Sequence, residues 1–169
     1  MKLKIKGKLP SYIKREEVRA IIQATNLVCD YHNKSRNPDV VTMMIENDIK
    51  KLGKNWLTGG NCWGWARWSD DSMALYGGIK EKNQFIAVLI HEMLHLCVRH
   101  KGGQERPTST LNAKLQPMII SIANTLAKGV YQRAAWFAHC KIAYKRTKKN
   151  DSYNGDEWNI KKETKGIKL

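Results

Sequence analysis

One segment, FIAVLIHEMLHL at positions 85–96, constrains the fold of this 169-residue chain more than any other. Its apolar residues predict a helix that the rest of the chain buries, yet it also carries His91, Glu92 and His95. Two histidines at positions i and i+4 differ by about 40° around a helix axis, so both imidazoles can reach one metal ion. The segment therefore predicts a metal site on a buried helix.

Glu92 follows His91 directly, which places its carboxylate beside such a metal and not on it. From there Glu92 can take a proton from a metal-bound water and return it to a leaving amine. Zinc suits imidazole ligands, so we predict about one Zn2+ per chain, with Glu92 as the general base. The competing interpretation is a pair of core histidines whose rings bond to backbone carbonyls, although burying such a pair without a ligand is costly.

A catalytic zinc also needs a third protein ligand, for which the sequence offers three candidates. His100 is the nearest, but nine helical steps from His91 would turn it about 180° away and lift it about 13.5 Å. The helix must therefore unwind after Leu96 if His100 is to bind. Glu105 and His139 are the other two candidates, and the choice among the three stays open.

Length and composition bound the class of protein. A chain of 169 residues suits one domain, and 42% apolar residues with six Trp and six Tyr exclude a disordered chain. The longest wholly apolar run, residues 85–90, is too short to span a membrane. The N-terminus alternates Lys with apolar residues, unlike a secretory signal, and the four cysteines form no C-x-x-C pair. We therefore expect a non-secreted, cytoplasmic protein with reduced thiols.

The charge is far from balanced, because 30 Lys and Arg against 15 Asp and Glu leave a net charge of +15. Residues 1–19 and 141–169 hold two-thirds of that excess. It favours a polyanionic partner, and we predict sequence-nonspecific nucleic-acid binding; the basic stretches lack the apolar face that membrane binding needs. The simpler interpretation is solvated charge that complements a helix C-terminus. The predicted nucleic-acid contacts are Lys141, Lys145, Arg146, Lys148, Lys149 and Arg67.

Alternation and three- or four-residue spacing predict an α+β domain over residues 1–145. We expect a polar, basic and loosely ordered tail over residues 146–169. Pro117 would lie in the first turn of the last helix, where its missing N–H costs nothing. The predicted strands cover residues 2–9, 40–45, 61–68 and 73–76, and the predicted helices cover residues 14–32, 83–95 and 115–145.

Three tryptophans, Trp63, Trp65 and Trp68, lie beside Arg67 in the predicted strand pair. Zinc peptidases offer an edge strand against which an extended peptide pairs, and residues 73–76 are our candidate. The Trp rings could instead stack on unpaired bases, with Arg67 adding charge. The plainer interpretation is packing on the core, which we favour for at least two of the three.

A helix, a strand pair with WGW at 63–65, a strand with ALY at 74–76 and then IHEMLH at 90–95 follow one another within residues 18–103. This order resembles the SprT-like family of zinc metallopeptidases, to which the Spartan-type proteases belong. The resemblance implies a small zincin-like domain of the minigluzincin type. In such a domain a short antiparallel sheet packs on an N-terminal helix, an active-site helix and a long C-terminal helix. It also implies a peptidase that cleaves DNA-bound proteins, with His91, His95 and His100 on zinc and Glu92 as base.

Two functions of different classes remain. The first is a zinc metalloendopeptidase that acts on nucleic-acid-associated proteins. The alternative is a nucleic-acid-binding protein with a structural metal site or an inactive peptidase fold. Glu92 favours the enzyme, because a structural site gains nothing from an acid that is not a ligand. Tyr76, Tyr131 and His139 could stabilise a tetrahedral intermediate, but no spacing supports any of them, and the oligomeric state stays open.

Overall fold

A computed structural model of the chain describes residues 1–31, 38–54, 59–97 and 106–127. Within these ranges the chain forms four strands, three helices and one short 3-10 helix, so the predicted α+β class is confirmed. The strands are β1 (Lys2–Lys6), β2 (Val40–Glu46), β3 (Gly64–Arg67) and β4 (Ser72–Tyr76). The helices are α1 (Arg15–Tyr31), α2 (Lys82–Cys97) and α3 (Arg106–Leu126), and the 3-10 helix is Ile49–Leu52.

The four strands form one mixed sheet in the order β1-β2-β4-β3. β1 pairs with β2 and β2 pairs with β4 in parallel, whereas only β3 and β4 are antiparallel. The expected antiparallel sheet is therefore wrong. The reason lies in the connections: α1 links β1 to β2, and a helical crossover returns the chain in the same direction. The chain reverses twice after β2, once on the way to β3 and once in the short turn between β3 and β4, so β4 again runs parallel to β2.

The sheet has one face packed on the helices and one face turned away from them. Side chains alternate along β1 and β2 between more exposed and more buried positions. The buried set forms one hydrophobic core with α1, α2 and α3, and Phe85, Leu89 and Met93 of α2 are fully enclosed there. α2 is thus the central helix of the domain, as its apolar sequence predicts.

One buried carboxylate, that of Glu17, links the N-termini of α1 and α2. The Oε2 atom of Glu17 accepts a 2.7 Å hydrogen bond from the backbone N–H of Lys14, which caps the start of α1. Its Oε1 atom pairs with the ammonium group of Lys82, the first residue of α2. The side chain of Glu17 is 3% exposed and that of Lys82 is 31% exposed, so a partly buried ion pair links the start of α2 to α1.

Two boundaries differ from the sequence prediction. β1 ends at Lys6 and not at residue 9, because Gly7 adopts a φ of 90° that turns the chain. α3 begins at Arg106 and not near residue 115, so Pro107 lies in its first turn and Pro117 lies inside the helix. From sequence alone, a proline that follows the end of one helix cannot be distinguished from a proline in the first turn of the next helix. Residues 128–145 of the predicted last helix and the predicted tail lie outside the described residues.

The thiols in the described ranges are free, as the cysteine spacing predicts. Cys29 on α1 and Cys97 at the end of α2 are both fully buried. A hydrogen bond with Cys97, together with burial, raises the pKa of the Cys29 thiol, so Cys29 stays protonated. None of the helices in the described ranges is long and apolar enough to cross a bilayer.

Candidate metal centre

The two histidines of α2 meet over one turn of the helix. The Nε2 atoms of His91 and His95 lie 3.0 Å apart, and the two rings are nearly perpendicular, with an interplanar angle of 87°. Two imidazole nitrogens bound to a tetrahedral Zn2+ at 2.0–2.1 Å would lie about 3.3 Å apart. The observed separation therefore fits a shared metal ion with a small opening of the pair.

The same separation also fits a hydrogen bond between the two rings, in which one ring donates and the other accepts. Such a bond would hold the rings in place without a metal. Both side chains are only partly buried, so solvent reaches them in a helix whose other side chains are mostly enclosed. The pair is therefore both preorganised and accessible, which suits a ligand site better than a core.

Glu92 lies against the strand at the edge of the sheet. Its residue is 6% exposed, and it packs directly on the backbone of Gly64 in β3. A methyl group in place of the Gly64 hydrogen would lie 2.8 Å from both Cγ and Oε1 of Glu92. It would also lie 3.0 Å from the carbonyl oxygen of Ala74. Only glycine leaves room at this position for the carboxylate to pass between α2 and β3.

Gly64 is a residue to which sequence reasoning gave no role of its own. The available signal was a glycine inside a predicted strand, which often marks the close approach of another group. The sequence could not name that group, because it depends on how α2 packs across the sheet. In the structure, the group that approaches Gly64 is the side chain of Glu92.

Trp68 holds the C-terminal end of the histidine helix. Its indole N–H donates to the backbone carbonyl of His95, which lies in the last turn of α2. Trp68 is half-buried and packs against the core. The plainer interpretation, packing, therefore holds for this tryptophan, and it also orients the turn that carries His95.

The edge strand beside α2 is β3, not the strand over residues 73–76. β4 lies between β2 and β3, so both of its hydrogen-bonding edges are occupied. The expectation that residues 73–76 would pair with an extended peptide is therefore wrong. Within the described ranges β3 pairs only with β4, and Gly64 brings it into contact with Glu92 of α2.

Arg67 is exposed and engaged by a neighbouring carboxylate. Its Nε and Nη2 atoms donate to the two carboxylate oxygens of Asp70 at 3.0 and 2.6 Å. The hydrogen bonds from Arg67 and then from Ser72 lower the pKa of Asp70 to about 2. The guanidinium carbon also lies 5.5 Å from the ring centroid of Trp65, so both side chains share one face of β3.

The remaining predicted site residues fall into two groups. Tyr76 ends β4, packs against the core and covers Gly78 with its ring.

In the part of the chain that is described, no third His, Cys, Asp or Glu joins His91 and His95 in a metal-binding arrangement. The other predicted residues lie outside the described ranges: His100, Glu105, Tyr131, His139, Lys141, Lys145, Arg146, Lys148 and Lys149.

Comparison with known proteins gives no relative. No protein-family model, no curated protein and no solved structure matches this chain. A function for this chain therefore has to be inferred from its own residues.

Proposed function

We propose that this protein is a zinc metalloendopeptidase of the SprT-like type. The observation that carries the proposal is the arrangement on α2, where two Nε2 atoms lie 3.0 Å apart and the intervening glutamate is buried against an edge strand. A pair of core histidines would need neither an acidic residue beside it nor access to solvent. The pair on α2 has Glu92 beside it, and both of its side chains are partly exposed.

The residues present fit a zinc ion. His91 and His95 would bind it through Nε2, and the third ligand would come from His100, with Glu105 or His139 as alternatives. When bound, zinc would polarise the scissile carbonyl and acidify the attacking water. The core encloses most of α2, so the helix that carries the two rings is held in a fixed position.

Glu92 performs the proton transfers in this proposal. One carboxylate oxygen accepts a proton from the attacking water, and the same group later delivers a proton to the nitrogen of the leaving amine. Contact with Gly64 fixes the carboxylate in the narrow space between α2 and β3. A carboxylate held in this way needs little reorganisation before each transfer, which lowers the barrier.

β3 is the strand on which a peptide substrate would lie. Its outer edge offers backbone N–H and C=O groups to an extended chain, which would add to the sheet as a further strand. Since β3 contacts Glu92 through Gly64, a peptide paired to β3 would pass close to the carboxylate. The net charge of +15 supports substrates that are associated with nucleic acid.

Substitution of Glu92 tests the proposal. Wild-type protein should cleave a DNA-bound basic protein in the presence of zinc, and Glu92→Gln should keep its zinc while losing at least about 100-fold in rate. Glu16→Gln, which changes an exposed carboxylate on α1, is the matched control and should cleave like wild type. Equal inertness of wild type and Glu92→Gln on such substrates would instead favour a nucleic-acid-binding protein with a structural histidine pair.

The third ligand is tested by metal content alone. His100→Ala, Glu105→Ala and His139→Ala proteins are purified with zinc, and the zinc per chain is measured together with the circular dichroism spectrum. We expect His100→Ala to lose most of its zinc while retaining its helix content. Loss in Glu105→Ala or His139→Ala alone would move the third ligand to that residue.

A further inference from the structure

Trp63 is a large aromatic residue that the fold leaves at the surface beside the candidate site. It is 40% exposed, and it directly precedes Gly64, the position that contacts Glu92. The backbone of Trp63 is held in the sheet, because its carbonyl accepts a 2.8 Å hydrogen bond from the N–H of Tyr76. Tryptophan is enriched at binding sites, since its ring buries a large apolar area at a small entropic cost. Trp63 is therefore a candidate binding residue that the proposed proton transfer does not use.

Trp63 shares one face of the strand with Trp65 and Arg67. Successive side chains of a strand point to opposite faces. A methyl group at Gly64 would point at α2, and Ala66 packs against the core, so these two positions face the helices. The guanidinium carbon of Arg67 lies 5.5 Å from the ring centroid of Trp65, as expected for neighbours on the other face. Trp63 and Trp65, here called the tryptophan pair, therefore lie on the opposite face of β3 from α2.

The charge beside the tryptophan pair is neutralised. Arg67 donates two hydrogen bonds to the carboxylate of Asp70, at 3.0 and 2.6 Å. The hydrogen bonds from Arg67 and then from Ser72 lower the pKa of Asp70 to about 2, so this carboxylate stays ionised at neutral pH. Because Arg67 and Asp70 satisfy each other, they offer little to a charged ligand group, whereas an apolar group would bury area against the indoles.

The hydrogen bonds on the inner edge of β3 define which groups point to its outer edge. In an antiparallel pair, residues that bond across the ladder alternate with residues whose backbone groups point outward. The bond from Tyr76 to Trp63, together with the register of β3 and β4, makes Trp65 bond to β4 in the same way. The backbone groups of Gly64 and Ala66 therefore point away from β4, toward the edge that a substrate peptide would join.

A peptide paired with this edge would place its side chains alternately on the two faces of β3. Residues that lie opposite each other on neighbouring strands share a face, with Cβ atoms about 4.5–5.5 Å apart. The substrate residue opposite Gly64 would therefore lie on the α2 side, near Glu92. The substrate residues before and after it would lie opposite the tryptophan pair, on the other face.

We propose that the tryptophan pair is a substrate subsite that selects a large apolar side chain next to the cleaved bond. The subsite depends on the proposed peptidase function and adds the class of residue that the peptidase prefers. Gly64 brings the substrate residue opposite it close to Glu92, so the cleaved bond belongs to that residue. Its two neighbours contact Trp63 and Trp65, where an aromatic or long aliphatic side chain gains contact area and a small or charged one does not.

Cleavage of a matched peptide set tests the subsite. Short fluorogenic peptides of Ser, Gly and Ala carry a single Phe, Leu or Glu at each position in turn, with Ala at that position as the reference. At the preferred position, kcat/KM of zinc-loaded wild type for Phe or Leu should exceed that for Ala by about 10-fold to 100-fold. Trp63→Ala should lower this ratio by about 10-fold. Tyr31→Ala, which removes an exposed aromatic residue at the end of α1, is the matched control and should keep the wild-type ratio.

Two further variants separate loss of the subsite from loss of the fold. Trp63→Phe keeps an aromatic ring and should retain most of the preference, with a circular dichroism spectrum like that of wild type. Trp63→Arg should reverse the preference from Phe to Glu, because a guanidinium group pairs with a carboxylate. Unfolding cannot create a new preference, so this reversal would identify contact with the substrate side chain.

Binding of the same peptides to Glu92→Gln, measured by fluorescence anisotropy, tests the subsite without cleavage. The Phe peptide should bind more tightly than the Ala peptide by about two-fold to 10-fold, as an aromatic contact provides, and Trp63→Ala should remove the difference. If wild type cleaves nothing while this preference is present, the peptidase function is wrong and the tryptophan pair stands as a peptide-binding site.

Other results would overturn the subsite. Equal kcat/KM for the Phe and Ala peptides would do so, and so would a preference that survives both Trp63→Ala and Trp65→Ala. Either result would leave the peptidase function intact, because the peptides are still cleaved. Absence of both cleavage and preferential binding would overturn the subsite and the peptidase function together.

Discussion

The contact between Gly64 and Glu92 makes the sharpest prediction about the candidate site. In Gly64→Ala the new Cβ would lie 2.8 Å from Cγ and Oε1 of Glu92, where carbon atoms normally keep 3.5–4.0 Å. The carboxylate must therefore move by roughly 0.7–1.2 Å, since the carbonyl of Ala74 at 3.0 Å restricts movement of the strand in that direction. A catalytic group displaced by about 1 Å loses roughly 100-fold in rate.

The assay compares cleavage rate, zinc content and melting temperature of wild type and Gly64→Ala. We expect kcat to fall by about 100-fold with zinc content unchanged, because the added methyl group touches the glutamate and not the histidine nitrogens. Overpacking should cost about 1–3 kcal/mol of stability. Ala66→Gly is the control, since it weakens the same strand without adding an atom beside Glu92.

A double substitution separates a positioning role from a general loss of stability. If Gly64 acts through Glu92, adding Gly64→Ala to Glu92→Gln should lower the rate no further. A wild-type rate in Gly64→Ala would show that the contact with Glu92 does not position the carboxylate, and so would a loss of rate that merely follows loss of zinc. An additive effect in the double variant would show that Gly64 acts through another group.

Three further perturbations test the surroundings of the site. Trp68→Phe removes the indole donor to the His95 carbonyl and should cost about 1–3 kcal/mol in urea unfolding. Trp65→Phe, a change in β3 on the face turned away from the helices, should cost less, and equal costs would contradict this expectation. Glu17→Gln leaves Lys82 without its buried carboxylate and should cost about 3 kcal/mol, whereas Glu16→Gln should cost under about 0.5 kcal/mol. The pKa of Asp70 is lowered to about 2, so its contribution to stability is present above its ordinary value of 3.8 and lost as pH falls through about 2. As pH falls from 3.8 to about 2, the melting temperature of Asp70→Asn should therefore decrease less than that of wild type. An equal decrease in both proteins would contradict this expectation.

The helix with its histidine pair could be predicted from sequence because its signal is local. Spacing of four residues alone places two side chains on one face, and the apolar flanks predict burial. α2 spans Lys82–Cys97, close to the predicted residues 83–95, and the rings of His91 and His95 lie side by side on it. The β3–β4 pair was also predictable, because a polar turn joins two short alternating segments.

Strand order was not predictable in the same way. Each strand carries its own pattern, but no pattern states which strand lies beside which. β4 therefore looked like the edge strand because it precedes α2 along the chain, while hydrogen bonding places it between β2 and β3. The closeness of Gly64 to Glu92 has the same origin, since it joins residues 28 positions apart through tertiary packing. Pro107 misled the α3 boundary because proline is compatible with both a helix stop and a helix start.

Metal binding by the histidine pair can be measured directly. Purified protein is dialysed against a zinc buffer, and bound zinc is measured for wild type, His91→Ala and His95→Ala, with His32→Ala as the control. We expect about one zinc per chain in wild type and His32→Ala, and loss of most of it in His91→Ala and His95→Ala. A wild-type protein that binds no zinc, or His91→Ala and His95→Ala proteins that keep it, would show that the histidine pair is not a metal site.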